Sequence, residues 1–320
     1  ITSTYADIGF CHLKYLGSED SAFVYLNKSI NLCEEMKFSN LLRDILNKIG
    51  NTYTHKGQLP EALNFYNDAL NIVEETRDTL GIASINNSLA SVYKTQNNYD
   101  EALSYLHIAL HHYQSIAHES GIAGTKNNIA NLLLKKNHYD SSLSYALQAL
   151  VSYQSLQDSC QLSHSFLNMG KAYISLEKAD SAIYYLEKGS KQAIKCNSNE
   201  VLAQTHLALG KIYKTQKLNN KAFIPFQQAM KYAQLSGNRK SIKEAAAHLH
   251  PIYKKRGQLT KAYETLNLYQ ANKDSLFNEE NTRNLIQKEM EYTYAKAEQE
   301  KALARQQAGE QKEPRLLRQT

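Results

Sequence analysis

Tryptophan is absent, and proline, at four copies, and glycine, at 13, are scarce for a chain of 320 residues. A turn-rich β-sandwich or a dinucleotide-binding α/β fold spends far more glycine, so both classes are excluded. No apolar run approaches the roughly 18 residues that a membrane-spanning helix needs. The four cysteines, Cys11, Cys33, Cys160 and Cys196, form neither a C-x-x-C pair nor a His/Cys ligand rhythm. They read as buried free thiols rather than a disulfide framework or a metal site. A phosphate-cradling glycine loop and a G-x-S-x-G elbow are missing as well, so neither catalysis nor a cofactor is expected. The chain opens at Ile1 without a methionine or an apolar leader, which predicts a fragment or a processed form.

What is abundant is tyrosine, with 22 copies, in a chain that is 42% hydrophobic and 21% charged, a balance that supports a core rather than disorder. Much of that tyrosine belongs to a repeat of 40 residues. Phe10, Gly50, Ala90, Ala130, Gly170, Gly210 and His250 fall in one column, with Leu13, Tyr53, Tyr93, Leu133, Tyr173, Tyr213 and Tyr253 three residues later. Small residues fill two further columns, Ala22, Ala62, Ala102, Ser142, Ala182, Ala222 and Ala262, and Ser29, Ala69, Ala109, Ala149, Gly189, Ala229 and Tyr269.

Within a copy the apolar spacing predicts helix, short turn, helix. Leu42, Ile45, Leu46, Ile49 and Tyr53 recur at three and four residues, as do Leu63, Tyr66, Ala69, Leu70 and Val73. Lys56-Gly57-Gln58-Leu59 breaks the first run, and Pro60 suits the first turn of the second. The Pro60 column otherwise holds Asp20, Asp100, Asp140, Asp180, Asn220 and Thr260, residues expected to cap the second helix. The small columns predict close helix crossings in which Gly50 or Ala90 meets the Ala62 or Ala102 column.

Ile49-Gly50-x-x-Tyr53 with Ala62 and Ala69, and Leu209-Gly210-x-x-Tyr213 with Ala222 and Ala229, resemble the tetratricopeptide repeat. The family's first-position tryptophan is missing, and 40 residues exceed its usual period by six, read here as an extra turn of helix plus a longer connection. The resemblance implies an all-α, right-handed superhelical solenoid of seven helix-turn-helix repeats over residues 1–270. From Asp274 to about Ala308 the absence of Gly and Pro predicts one long helix, so that 271–308 reads as a connector. Ile286, Met290, Thr293 and Ala297 make a short coiled-coil-like seam along it, a candidate dimer contact, and 309–320 reads as a disordered tail. The stretch from Asp274 to Tyr292 resembles the connector of bacterial, notably Bacteroidetes, tetratricopeptide sensor proteins. That resemblance implies a periplasmic location, with the cytoplasm as the alternative, and an output domain that this sequence does not contain.

At about 100° per residue, Asp44, Asn47, Asn51 and Thr54 share an arc opposite Leu42, Ile49 and Tyr53. By the family resemblance this arc faces a concave groove. Its columns continue as Asn87 and Asn127, then Leu167 and Leu207, and as Ser91 and Asn131, then Lys171 and Lys211, with Lys94, Lys214 and Lys254 one turn further on. Asparagines can bond the main chain of an extended peptide, and lysines can hold its acidic groups. The expected partner is thus a protein or an extended, acidic peptide. The carboxylate clamp of chaperone-binding relatives is not reproduced.

Charge is uneven: residues 1–170 hold 11 Lys+Arg against 16 Asp+Glu, 171–270 hold 17 against 6, and 271–320 hold 9 of each. Nucleic acid is not an expected partner, because the basic residues come without a recognition motif or a stacking platform. His107 and His111 share the spacing of a metal pair but lack the companions of H-E-x-x-H, and read as surface histidines. The expected function is a non-catalytic scaffold, the sensing region of a signalling protein. The alternative is a structural assembly protein that oligomerises through its charged ends or its C-terminal helix.

Overall fold

The structure, a computed structural model, describes residues 2–12, 19–278 and 281. Among the described residues there are helices and no strand: α1 (Thr2–Cys11), α2 (Glu19–Glu35), α3 (Ser39–Lys56), α4 (Leu59–Glu75), α5 (Thr79–Thr95), α6 (Tyr99–Ser115), α7 (Glu119–Lys135), α8 (Tyr139–Ser155), α9 (Ser159–Ser175), α10 (Ala179–Lys195), α11 (Asn199–Thr215), α12 (Asn219–Ser236), α13 (Arg239–Lys255) and α14 (259–278). The parts of the expected 274–308 helix and 309–320 tail that lie beyond residue 278 fall, Asn281 apart, outside the described residues. No helix among the described residues is long and apolar enough to cross a membrane.

From α2 to α13 every helix has 17 or 18 residues and every turn two or three, so two helices and two turns make up 40 residues. Long helices alone therefore fill the period. The longer connection expected from the sequence does not exist, because both turns of a repeat are built the same way. A residue with positive φ recurs every 20 positions from Lys37 to Gly257. Around Ala117, its own N–H donates to the Gln114 carbonyl and the His118 N–H donates to the Tyr113 carbonyl, the paired bonds of a Schellman turn. Among the described residues, Gly57, Gly237 and Gly257 take this left-handed conformation without a side chain to crowd the backbone.

These turns also correct the capping expectation. Asp100, Asp140 and Asp180 are the second residues of α6, α8 and α10, one position inside the helix. The caps themselves, Asn98, His138 and Lys178, make no side-chain capping bond. The carboxylates act instead through the positive end of the helix, and Asp100 also pairs with Lys136. Side-chain caps occur at odd-numbered helices: Asp78 accepts from the Gly81 N–H, His118 from Gly121, Asp158 from Cys160 and Gln161, and Asn238 from Ser241.

Each helix packs on its sequence neighbours, and the odd-numbered helices also meet the next odd one: α3 on α5, α5 on α7, α7 on α9, α9 on α11 and α11 on α13. Two even-numbered helices never come as close among the described elements. Odd helices thus crowd along an inner wall while even ones spread outside, which is how a solenoid of helix pairs acquires a concave face.

The small column meets the Ala62 column through the backbone: the Ser142 hydroxyl donates to the Ala130 carbonyl at 2.7 Å, His250 Nδ1 lies 2.9 Å from the Ala262 carbonyl, and a Cβ on Gly170 would stand 3.6 Å from the Ala182 carbonyl. A Cβ on Gly50 would stand 2.6 Å from the Tyr66 ring, one on Gly210 2.6 Å from the Phe226 ring, and one on Gly170 2.6 Å from Leu186. The residue sixteen positions on is what fills the space. Ala62, Ala102, Ala182 and Ala222 are almost completely buried, because they let the paired helices approach. The tyrosine column stacks on the residue twelve later: Tyr53 on Phe65, Tyr93 on Tyr105 and Tyr173 on Tyr185, with centroids 5.1 to 5.5 Å apart.

The first copy is one residue out of phase. There Gly9 meets Leu26 and the Ala22 carbonyl, and His12 stacks on Tyr25, each pair one residue further apart than its counterparts around Gly170 and Tyr173. Gly9, rather than Phe10, occupies the first column and His12 the second; Leu13 lies outside the described residues. All four cysteines are free, but only Cys33 is buried; Cys11 and Cys160 are exposed, contrary to expectation.

Candidate ligand groove

The inner wall carries the arc read from Asp44, Asn47 and Asn51, and much of its hydrogen-bonding capacity is turned on the next repeat. Asn47 Oδ1 accepts from the Ser88 hydroxyl at 2.9 Å, and Asn87 Oδ1 accepts from Asn128 Nδ2 at 3.1 Å. Asn127 Oδ1 accepts from Asn168 Nδ2 at 3.0 Å and from the Ser165 hydroxyl at 3.3 Å. Asn131 Nδ2 donates to Asn168 Oδ1 at 3.3 Å, and Asn51 Oδ1 accepts from the Tyr66 hydroxyl at 2.9 Å. Asn127 is only 8% exposed, so its rung is a buried cross-tie between α7 and α9. Satisfied networks of this kind specify how neighbouring elements register.

Two recesses open along this wall. The smaller, about 220 Å³, is lined by Asn51, Asn87, Ser91 and Lys94 among others. The larger, about 740 Å³, is lined by α5, α7, α9, α11 and α13, and takes in Lys94, Asn127, Asn131, Lys171 and Lys211. Asn47 and Lys214 line neither; Lys214 Nζ lies 3.2 Å from His248 Nδ1 instead. The apolar continuation of the Asn column at Leu167 and Leu207 forms part of the larger recess.

Sequence reasoning missed Lys135, His164, Glu200, Gln204, Lys240 and Glu244 in the same recess. His164, Gln204 and Glu244 lie in the Asp44 column and follow from extending it in steps of 40. Lys171 Nζ donates to Gln204 Oε1 at 2.6 Å, and Gln204 Nε2 donates to Glu200 Oε1 at 3.2 Å. Lys211 and Glu244 form an ion pair at 2.8 Å.

The electrostatics follow from crowding cations into a partly dehydrated wall. Burial, then the charges of Lys135 and Lys240, bring Lys171 down to about 8 against the pull of Glu200 and Glu244. Lys135 is lowered by burial and by Lys240, and Lys94 by burial. Glu244 lies below the usual carboxylate range: burial pushes it up, but the bond from Lys211 and the charges of Lys211, Lys240 and His248 outweigh that. Burial with Lys214 and Lys211 takes His248 down to about 4.

Family models of the tetratricopeptide repeat match residues 41–110 and 122–156. The chain is a tetratricopeptide repeat protein. No curated protein sequence matches this array. Among solved structures it is similar to the apo form of RapI, with 16% identity, a TM-score of 0.67, and 87% of this chain and 99% of that one covered. It is also similar to a Rap conjugation gene regulator of the plasmid pLS20 in complex with the Phr* peptide, at 16% identity, TM-score 0.62 and coverage of 87% and 74%. A third is a signal transduction ATPase with numerous domains from Pyrococcus horikoshii, which has a tetratricopeptide repeat sensor; identity is 15%, TM-score 0.64, and coverage 87% and 42%. At these identities the likeness establishes the repeat fold.

Proposed function

We propose that this tetratricopeptide array is a non-catalytic scaffold that captures an extended, acidic protein segment along its inner wall. The observation that carries the reading is the large recess, whose lysines outnumber its glutamates five to two. Such a surplus attracts and holds negative charge. The smaller recess, with Asn51, Asn87 and Ser91, offers uncharged hydrogen-bonding groups for main chain further along. A peptide complex of a Rap regulator with the same repeat architecture supports the reading by analogy. In this proposal residues 1–270 are the capture unit and 271–308 the connector that passes on occupancy. A sensor role places the array in the periplasm.

Titration of a fluorescein-labelled Asp/Glu-rich peptide tests this. Binding should weaken steeply with salt, and weaken further in Lys94→Glu and Lys211→Glu. Lys188→Glu should be neutral, since Lys188 lies over the ring of exposed Tyr184 on α10, away from the wall. Equal weakening by all three variants, or no binding, overturns the reading.

The opposed charges of residues 1–170 and 171–270 favour a second reading, an assembly protein that associates end to end. Oligomers without any partner, dissolving as salt is raised, would support it in light scattering.

A further inference from the structure

Lys171 is held in the large recess by one acceptor, Gln204 Oε1, although an ammonium has three N–H donors. Among the described residues no carboxylate lies within ion-pair distance of its Nζ. A half-buried ammonium with no carboxylate in contact is a costly arrangement unless something negative meets it. Two further cations face it. Lys135, the last residue of α7, and Lys240, in the first turn of α13, both repel the Lys171 charge, and Lys240 repels that of Lys135. The two carboxylates lining the recess are shared among its lysines: Glu244 pairs with Lys211 and also pulls on Lys135 and Lys171, and Glu200 pulls on Lys94 and Lys171. Five ammoniums against two carboxylates leave a surplus of three positive charges, and among the described residues Lys135, Lys171 and Lys240, on α7, α9 and α13, line this space without a carboxylate in ion-pair contact.

A lone carboxylate fits this poorly. It neutralises one charge of three and presents two oxygens in a single plane. A phosphomonoester carries close to two negative charges and three acceptor oxygens pointing in different directions. Lysines, as point charges, suit such a group.

We propose that Lys135, Lys171 and Lys240 form a phosphate subsite that takes a phosphomonoester, borne on the captured segment or on a small free molecule. This deepens the groove reading, and rests on the same recess. Calorimetric titration of the full chain with O-phosphoserine, with aspartate, and with an acidic peptide in phosphorylated and unphosphorylated forms tests it. Phosphorylated probes should bind and aspartate should not. Lys171→Met should lose more than about 30-fold in phosphate affinity, and Lys188→Met nothing. Circular dichroism checks that the variants fold, and Lys135→Met/Lys240→Met gives the same answer should Lys171→Met not fold. Binding of free O-phosphoserine assigns a small molecule, and binding of the phosphopeptide alone assigns the segment; both support the subsite. Equal affinity for aspartate, retained phosphate affinity in the lysine variants, or no phosphate binding at all overturns it. Acidic-peptide capture that persists without preference for phosphate removes the subsite and leaves the groove; loss of both removes both.

Discussion

The ring of Tyr66 stands where a side chain on Gly50 would have to go, since a Cβ there lies 2.6 Å from Cε1. Helix propensity favours Ala over Gly by about 1 kcal/mol, but overpacking a filled site costs about 1–3 kcal/mol. Gly50→Ala is therefore expected to lower stability, the reverse of its usual effect in a helix. Ala90 shares its cluster with Leu106, sixteen residues on, which shows the compatible pair. Combining Gly50→Ala with Tyr66→Leu should thus give more stability than the two single effects predict together. Strict additivity in urea unfolding would show that the two side chains do not compete for space.

Glu177 occupies a turn at φ 58, a conformation that crowds any Cβ. Glu177→Gly should raise stability by about 0.5–1 kcal/mol, after allowing for the greater freedom glycine has in the unfolded chain. Gly57→Val, at φ 80, should lower it. Melting temperatures that fail to move in opposite directions would remove the turn account.

The hydroxyls of Thr125 and Thr205 are buried without a partner among the described residues. Replacing either by Val keeps the shape and removes an unsatisfied group, so each should gain about 1 kcal/mol. Ser142 is the contrasting case: its hydroxyl donates to the Ala130 carbonyl at 2.7 Å, and Ser142→Ala should destabilise. Denaturant midpoints compare the three directly. A loss at both threonines would mean that their hydroxyls are satisfied in solution.

Lys171 and His248 make stability depend on pH at opposite ends. Lys171 titrates at about 8 in the folded chain against an ordinary 10.5. Between these values the unfolded state holds the extra proton, so stability rises with pH across that window. His248 titrates at about 4 against 6.5, so stability falls as pH drops from 6.5 towards 4. Urea unfolding across pH should show Lys171→Met flattening the alkaline rise and His248→Gln the acid fall. Profiles that superimpose on that of the unaltered chain would place both groups in ordinary solvent.

The Asn column shows how far the sequence could be read. Asn47, Asn87 and Asn127 were legible as one face at a spacing of 40, but their partners, Ser88, Asn128 and Asn168, lie 41 residues on in the adjoining column. A polar residue on a helix face reads alike whether it points to a ligand or to the next repeat. The one-residue slip at Gly9 and His12 was hidden for a related reason: a 40-residue count looks in phase until the contacts with Leu26 and Tyr25 are seen.

The period, the pairing of helices and the small residues at their crossings were determined by the sequence itself, because each is a local matter of spacing and size repeated down the chain. The meeting of Lys135 with Lys240 was not. They are 105 positions apart and lie in columns that share no pattern, and only the curvature set by close-packed odd helices turns both towards Lys171. Periodicity dictates the repeat, whereas the charge of the recess comes from the angle accumulated between repeats, a sum that no single copy contains.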